Sequence, residues 1–185
     1  IEYTRVKEMS ASDDPDNLRI YQVMVESFIN GDDSRNMNTG YGSSHHKGDI
    51  QGVINSLDYM KSLGMNAVWM TPIFSMKTSS PSALDATGYF ARDYFDVDPH
   101  FGTKETLQTL VTEAHKRNMY VILDGVFGHH GGNVSASPNG KYPSGSADPV
   151  SYPGSLDFYK EVAEYWIKNY YIDGWRLDQA YQVAA

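Results

Sequence analysis

The chain of 185 residues contains no cysteine, and this absence excludes two classes of site. Without cysteine there are no disulfide bonds and no thiolate-bound metals, so the sequence does not indicate the redox environment. An apolar run long enough to span a bilayer is also absent. Basic residues are outnumbered, with 15 Lys and Arg against 23 Asp and Glu, for a formal net charge of -8. This charge argues against nucleic acid and against an anionic membrane surface as partners.

No predicted strand is followed by a Gly-rich phosphate-binding turn. This absence disfavours a doubly wound nucleotide-binding sheet. What the chain does contain is a regular alternation of strands and helices. Apolar residues recur at helical spacing after Asp49, Thr103 and Ser155, which we predict to be helix N-caps. The predicted strands cover residues 19–25, 66–70, 120–123 and 174–177.

This order predicts parallel strands connected by crossover helices. Long loops follow the second and third predicted strands, at residues 71–102 and 128–154. Long loops after strand ends are typical of barrels whose active site lies at the C-terminal ends of the strands. We therefore predict an α/β fold of about four β/α units, the N-terminal half of a (β/α)8 barrel. It covers residues 19–185 and follows an irregular lead-in at residues 1–18.

The last predicted strand is expected to be buried and ends directly on a carboxylate. Arg176 and Asp178 are two residues apart, so on a strand they point to the same side. An arginine next to a carboxylate favours its ionised form. An ionised aspartate at the C-terminal end of a parallel strand is where an α/β barrel carries its chemistry. The alternative is a structural ion pair that ends the strand.

Several blocks of the sequence, in this order and spacing, resemble the N-terminal half of the catalytic barrel of the α-amylase family of glycoside hydrolases. The third predicted strand ends in Asp-Gly-Val-Phe-Gly-His at residues 124–129, and the fourth reads Gly-Trp-Arg-Leu-Asp at residues 174–178. The other blocks lie at residues 20–32, 48–52, 67–73 and 88–103.

The resemblance implies a role for each matched position. The family's general acid is a glutamate at the end of the fifth strand, so we expect the chain to hold the nucleophile without the acid, as a fragment of a longer enzyme. Tyr89 has the alternative of a core aromatic residue, and His130 beside His129 makes the choice of ring ambiguous. By this resemblance, Asp178 is the nucleophile and Arg176 keeps it ionised. Asp124 supports Arg176 and the pocket. His129 forms a hydrogen bond to the sugar, and Tyr89 stacks on the sugar.

The implied activity is that of a retaining α-glycosidase, which cleaves α-glucosidic bonds of oligo- or polysaccharides by double displacement. Three departures from the family pattern are Gly128 in place of an asparagine that often binds calcium, Tyr181-Gln182 in place of Lys-His, and Phe90. The Tyr181-Gln182 departure puts specificity for a long glucan in doubt. The alternative within the enzyme class is a transglycosylase or isomerase acting on sucrose or trehalose. A non-catalytic amylase-like domain that binds carbohydrate or escorts a transporter is disfavoured, because Arg176 and Asp178 are both present.

A calcium site is a further expectation. Asn30, Asp32, Asn36 and Asp49 supply the carboxylate and amide oxygens that Ca²⁺ prefers, and some members of the family hold the ion with this spacing. The alternative is an ordinary turn followed by a helix cap. The expected partners are an α-glucan or oligosaccharide and the missing C-terminal half of the barrel or a second copy of the chain. For location, a secreted or periplasmic protein is slightly favoured over a cytoplasmic one.

Overall fold

The computed structural model describes residues 15–36, 47–78 and 87–183. Parts of the predicted lead-in and of the first long loop, residues 1–14 and 79–86, lie outside the described residues, as do residues 37–46. The centre of the fold is one sheet of four parallel strands. The prediction of consecutive β/α units is therefore confirmed, with a first strand shorter than expected. In spatial order the strands are β1 Ile20–Val23, β2 Ala67–Met70, β5 Tyr120–Gly125 and β6 Gly174–Leu177.

The first predicted helix is in fact two short helices, α1 Ile50–Asn55 and α2 Leu57–Ser62. Asp49 is the predicted N-cap, and its carboxylate accepts the backbone N–H of Gly52 at 2.7 Å. The two helices meet at Ser56, whose hydroxyl donates to the carbonyl of Gly52 at 2.9 Å. A side chain that bonds to the preceding turn in this way weakens and bends a helix, which accounts for the break.

The second predicted helix, α3 Lys104–Lys116, starts as expected at Thr103. The Thr103 hydroxyl accepts the N–H of Thr106 at 3.1 Å, and the Thr106 hydroxyl accepts the N–H of Thr103 at 3.2 Å, so two free donors of the first turn are satisfied. Gly64 after α2 and Asn118 after α3 have φ of 81° and 55°. Both therefore end their helices in the left-handed conformation, as their positions predicted.

The third predicted helix is α4 Leu156–Tyr170. It starts where the sequence predicted, but the prediction that the Ser155 side chain caps it is wrong. Ser155 occupies the N-cap position, but its side chain makes no capping bond. Its hydroxyl instead accepts the N–H of Ser144 at 2.9 Å. This bond ties the second long loop to the start of α4.

The first long loop contains a small antiparallel sheet that the sequence did not predict, formed by β3 Phe74–Ser75 and β4 Asp93–Val97. A strand of two residues gives no alternating pattern to detect. The pair is anchored in the core, since the indole N–H of Trp166 on α4 donates to the carbonyl of Tyr94 at 2.8 Å. This part of the loop therefore belongs to the folded body of the protein.

The sheet has two open edges, β1 and β6, and these explain a second difference from the sequence. β6 was expected to be buried, but Leu177 is 46% exposed and Ile20 on β1 is 44% exposed. Strands β2 and β5, which have a neighbour on each side, carry the buried apolar runs. No helix in the described part of the chain is long and apolar enough to cross a membrane.

Candidate active site

An arginine and two carboxylates meet at the C-terminal ends of β5 and β6. Asp124 stands opposite Arg176 in the register of these strands. Arg176 Nη1 lies 3.0 and 3.1 Å from the two carboxylate oxygens of Asp124, and 2.7 Å from Asp178 Oδ1. The Asp124 side chain is fully buried and that of Asp178 is 13% exposed. One guanidinium therefore links a fully buried carboxylate to a second one that is partly exposed.

Asp124 is surrounded by donors on its other side as well. Trp69 Nε1 on β2 donates to Asp124 Oδ2 at 3.1 Å, and the Tyr89 hydroxyl donates to the same oxygen at 3.2 Å. Burial raises the pKa of Asp124, although the bonds from Arg176, Trp69 and Tyr89 pull it down. The Arg176 guanidinium also lies over the Trp69 ring, 4.8 Å from its centroid. The ion pair is thus fixed by packing as well as by charge.

Tyr89 has a contact that the expected stacking role did not include. Its hydroxyl is bound to Asp124, and burial together with the charge of Asp124 raises its pKa well above the ordinary value. The phenol is therefore a neutral hydrogen-bond donor at physiological pH. Because the bond uses only the hydroxyl, it is compatible with a sugar lying on the ring face.

A pocket with a cavity volume of about 370 Å³ opens above these residues. Asp178 is the member of the arginine–carboxylate group that lines it, together with Tyr89 and His129. Arg176 and Asp124 support Asp178 from behind. The pocket wall also contains residues that the sequence did not single out, namely Met24, Glu26, Thr71, Thr87 and Gln179, as well as Phe90.

His129, rather than His130, is the histidine of the pocket. The side chain of His129 is buried, its ring centroid lies 5.4 Å from that of Phe90, and its carbonyl accepts the Tyr94 hydroxyl at 2.7 Å. His130 does not line the pocket, and its Nδ1 accepts the N–H of Gly132 at 3.0 Å. Burial, followed by the neighbouring His129, lowers the pKa of His130. The geometry thus resolves the ambiguity that the sequence left.

The residues expected to bind calcium are divided between two local networks. The Asp49 carboxylate accepts the backbone N–H groups of Gly31, Asp32 and Gly52. Asp32 accepts the N–H and hydroxyl of Ser34. In the described ranges, no group of three or more His or carboxylate side chains lies close enough together to hold a metal ion.

The two amides of that set meet at a residue that the sequence did not select. Asn30 Nδ2 and Asn36 Nδ2 both donate to Asp33 Oδ1, at 2.9 and 3.1 Å. Asn36 Oδ1 is buried and has no hydrogen-bond partner. A buried amide oxygen beside a carboxylate fits a hard cation, so these residues are compatible with Ca²⁺. The calcium site stays a prediction.

Comparison with known proteins identifies the family of this chain. The model of the α-amylase catalytic domain matches residues 22–141, which include Tyr89, Asp124 and His129. The chain belongs to the α-amylase family. The match stops before β6, so Arg176 and Asp178 lie outside the matched residues.

Individual members of the α-amylase family are similar over most of the chain. A cyclomaltodextrinase from Bacillus sp is 34% identical over 206 residues, covering 89% of this chain and 36% of that protein. An intracellular maltogenic amylase from Bacillus subtilis (strain 168) is 33% identical, covering 88% and 33%. A crystal structure of AmyP in complex with maltose is 61% identical with a TM-score of 0.83, covering 90% and 34%. The chain therefore spans about a third of the length of these relatives.

Trp69 and Glu26 are the clearest site residues that the sequence missed. Trp69 sits in the apolar run of β2, and its donor role becomes visible only when β2 lies beside β5. Glu26 is a buried carboxylate in the short 3-10 helix Val25–Ser27 that follows β1. Its position at the end of a barrel strand was the one available signal.

Proposed function

We propose that this chain forms the nucleophile side of a retaining α-glycosidase, which cleaves α-glucosidic bonds of oligo- or polysaccharides by double displacement. The observation that carries the proposal is the arrangement of Asp178, which faces the pocket while Arg176 binds it at 2.7 Å. The charge-assisted bond from the arginine holds the Asp178 side chain in place, and a carboxylate is the attacking group in a double displacement.

In the first step a carboxylate oxygen of Asp178 attacks the anomeric carbon of the sugar. A new carbon–oxygen bond forms as the glycosidic bond breaks, and the leaving oxygen takes a proton from a general acid. In the second step the same acid, now a base, removes a proton from water. The water oxygen attacks the anomeric carbon and releases Asp178 as a carboxylate. We place the general acid outside this chain, at the fifth-strand glutamate that the family resemblance implies.

The remaining residues of the pocket fit a glucosyl unit. Tyr89 and His129 both line the pocket, and an aromatic ring and an imidazole suit the apolar face and a hydroxyl of a sugar. The names of the relatives favour α-glucans built of maltose units, since they include a cyclomaltodextrinase, a maltogenic amylase and AmyP bound to maltose. We therefore propose maltooligosaccharides and cyclic maltodextrins as the first substrates to test.

A transglycosylase or isomerase acting on sucrose or trehalose is the second candidate, and the observation that favours it is Gln182 in place of the family's histidine. Both candidates use the same nucleophile. They differ in whether water or a second sugar attacks the glycosyl-enzyme. Product analysis with a panel of maltotriose, cyclodextrin, sucrose and trehalose separates them.

The deciding experiment replaces the nucleophile in the natural protein that carries this chain. Asp178→Asn removes the attacking charge but keeps the size of the side chain, so we expect kcat to fall by about 10³-fold or more, with little change in the melting temperature. The matched control is Asp157→Asn on the exposed first turn of α4, which should keep full activity. Activity of Asp178→Asn within about tenfold of the parent rules out Asp178 as the nucleophile.

A further inference from the structure

Two departures from the family pattern lie in contact with each other. A Cβ atom added to Gly128 would come within 2.5 Å of Gln182 Oε1 and 2.6 Å of Gln182 Cβ. The φ angle of Gly128 is not positive, so its backbone conformation is open to any residue. What excludes a larger side chain at position 128 is therefore Gln182 itself. The missing side chain at 128 makes room for the amide at 182.

The surroundings of the Gln182 amide determine its orientation. Gln182 Nε2 lies 3.4 Å from Asp148 Oδ1, and Gln182 Oε1 lies 3.5 Å from His129 Nδ1. A carboxylate only accepts hydrogen bonds, so the amide nitrogen faces Asp148 and the amide oxygen faces His129. An amide oxygen also only accepts, so a hydrogen bond across this contact requires the proton on His129 Nδ1. In a neutral imidazole this leaves Nε2 as the acceptor.

The other contacts of His129 do not select its tautomer. The Tyr94 hydroxyl holds the backbone carbonyl of His129, and the Phe90 ring packs against the imidazole. Neither contact involves a ring nitrogen. In the part of the chain that the structure describes, Gln182 is the one side chain recorded within hydrogen-bond distance of the imidazole.

We propose that Gln182, seated over Gly128, is a positioning residue that fixes the tautomer of His129 so that Nε2 accepts a hydroxyl of the bound sugar. Gln182 lies in the turn after Asp178, so the same turn that carries the nucleophile orients the sugar-binding histidine. The inference rests on the proposed glycosidase function, and it specifies which kind of hydrogen bond His129 makes to the substrate.

The first test uses Gln182→Leu in the natural protein, because leucine fills similar space but has no acceptor. We expect kcat/KM for maltotriose to fall about tenfold or more, since small losses of orientation are amplified in the rate. The ring ¹⁵N signals of His129, assigned by their loss in His129→Gln, should show the Nδ1–H tautomer in the parent and a mixture in Gln182→Leu. An unchanged kcat/KM in Gln182→Leu, or an Nε2–H tautomer in the parent, overturns the proposal.

The second test examines the contact between positions 128 and 182 by thermal unfolding. Gly128→Ala should lower the melting temperature in the parent and leave it nearly unchanged in a Gln182→Gly background, where the space is free. The double variant should thus be more stable than Gly128→Ala, but its kcat/KM should stay as low as that of Gln182→Gly. Additive effects on the melting temperature would contradict the contact. The melting temperature and the ¹⁵N signals can be measured without turnover. A protein that cleaves no α-glucoside would refute the proposed function, and these two measurements would still test the contact between Gln182 and His129.

Discussion

At the scale of single residues, the site depends on one guanidinium that serves two carboxylates. Asp124 is fully buried, and its burial raises its pKa even with Arg176 in place. Removing one partner of a fully buried pair typically costs about 3–5 kcal/mol of stability. The Arg176 side chain is 36% exposed, so solvent screening should make the loss here smaller. Arg176 therefore has a structural task besides its support of Asp178.

We expect Arg176→Met to make stability strongly dependent on pH. Without the guanidinium, the pKa of Asp124 in the folded protein rises further above its ordinary value. Between the ordinary carboxyl pKa and that raised value the folded state binds more protons than the unfolded state, so stability falls as the pH increases. Melting temperatures of the variant and the parent, measured from pH 4 to pH 8, should diverge as the pH rises.

The control for this variant is Arg117→Met. Arg117 forms its ion pairs with Asp58 and Glu113 at the surface, where such pairs contribute little. Its melting temperature should follow that of the parent across the range. A constant difference between Arg176→Met and the parent at all pH values would mean that Asp124 is not ionised in the folded protein.

The sequence predicted Arg176 and Asp178 as a pair because two residues on one strand point to the same side. Their contact with Asp124 followed from the family resemblance, and the structure places it across neighbouring positions of β5 and β6. Trp69 could not be assigned to the site in this way. Its indole reaches Asp124 only through the pairing of β2 with β5, which a single sequence does not encode in any local pattern.

At the scale of secondary-structure elements, the strands and caps were predictable where a signal is local. The apolar run of β5 and the capping residues Asp49 and Thr103 appear in the structure where the sequence indicated them. The β3–β4 pair was not predictable, because its two short strands are separated by a long stretch of chain. The break at Ser56 depends on one hydroxyl bond that competes with the helix.

The turn after β1 provides a prediction at this scale. If the oxygens near Asp33, Asn30 and Asn36 hold Ca²⁺, the ion binds only the folded protein and raises its melting temperature by mass action. We expect the melting temperature of the natural protein to fall on treatment with EGTA and to recover with added Ca²⁺. Asp33→Asn should reduce this response.

Magnesium is the matched control ion, because it is smaller and requires a stricter octahedral geometry than calcium. It should restore less of the melting temperature than Ca²⁺ does. Identical transitions with and without chelator would leave the segment as a turn and a helix cap, which its hydrogen bonds to Asp49 already explain.

At the scale of the whole molecule, four parallel strands do not close a barrel. The edges of the sheet are β1 and β6, and an edge strand offers unpaired backbone groups to another chain. Beside β6 lies an apolar hollow of about 310 Å³, between this strand and α4. Its exposed rim includes Leu156 and Leu177, which are 52% and 46% exposed. An exposed apolar face of this kind is typical of an interaction surface, and we propose that the rest of a barrel or a second copy of the chain covers it.

We therefore expect the polypeptide of these 185 residues, produced by itself, to associate rather than to stay monomeric, and to hydrolyse no α-glucoside. Light scattering should show dimers or larger species whose proportion increases with concentration. Replacing Leu156 and Leu177 by lysine places charge on the open edge and should shift the population towards monomer. Leu63→Lys, at the exposed C-terminal end of α2, adds the same charge away from that edge and should change little. A concentration-independent monomer that unfolds cooperatively would mean that the four-stranded sheet is stable with both edges open, and turnover of maltotriose by that monomer would place the general acid within this chain.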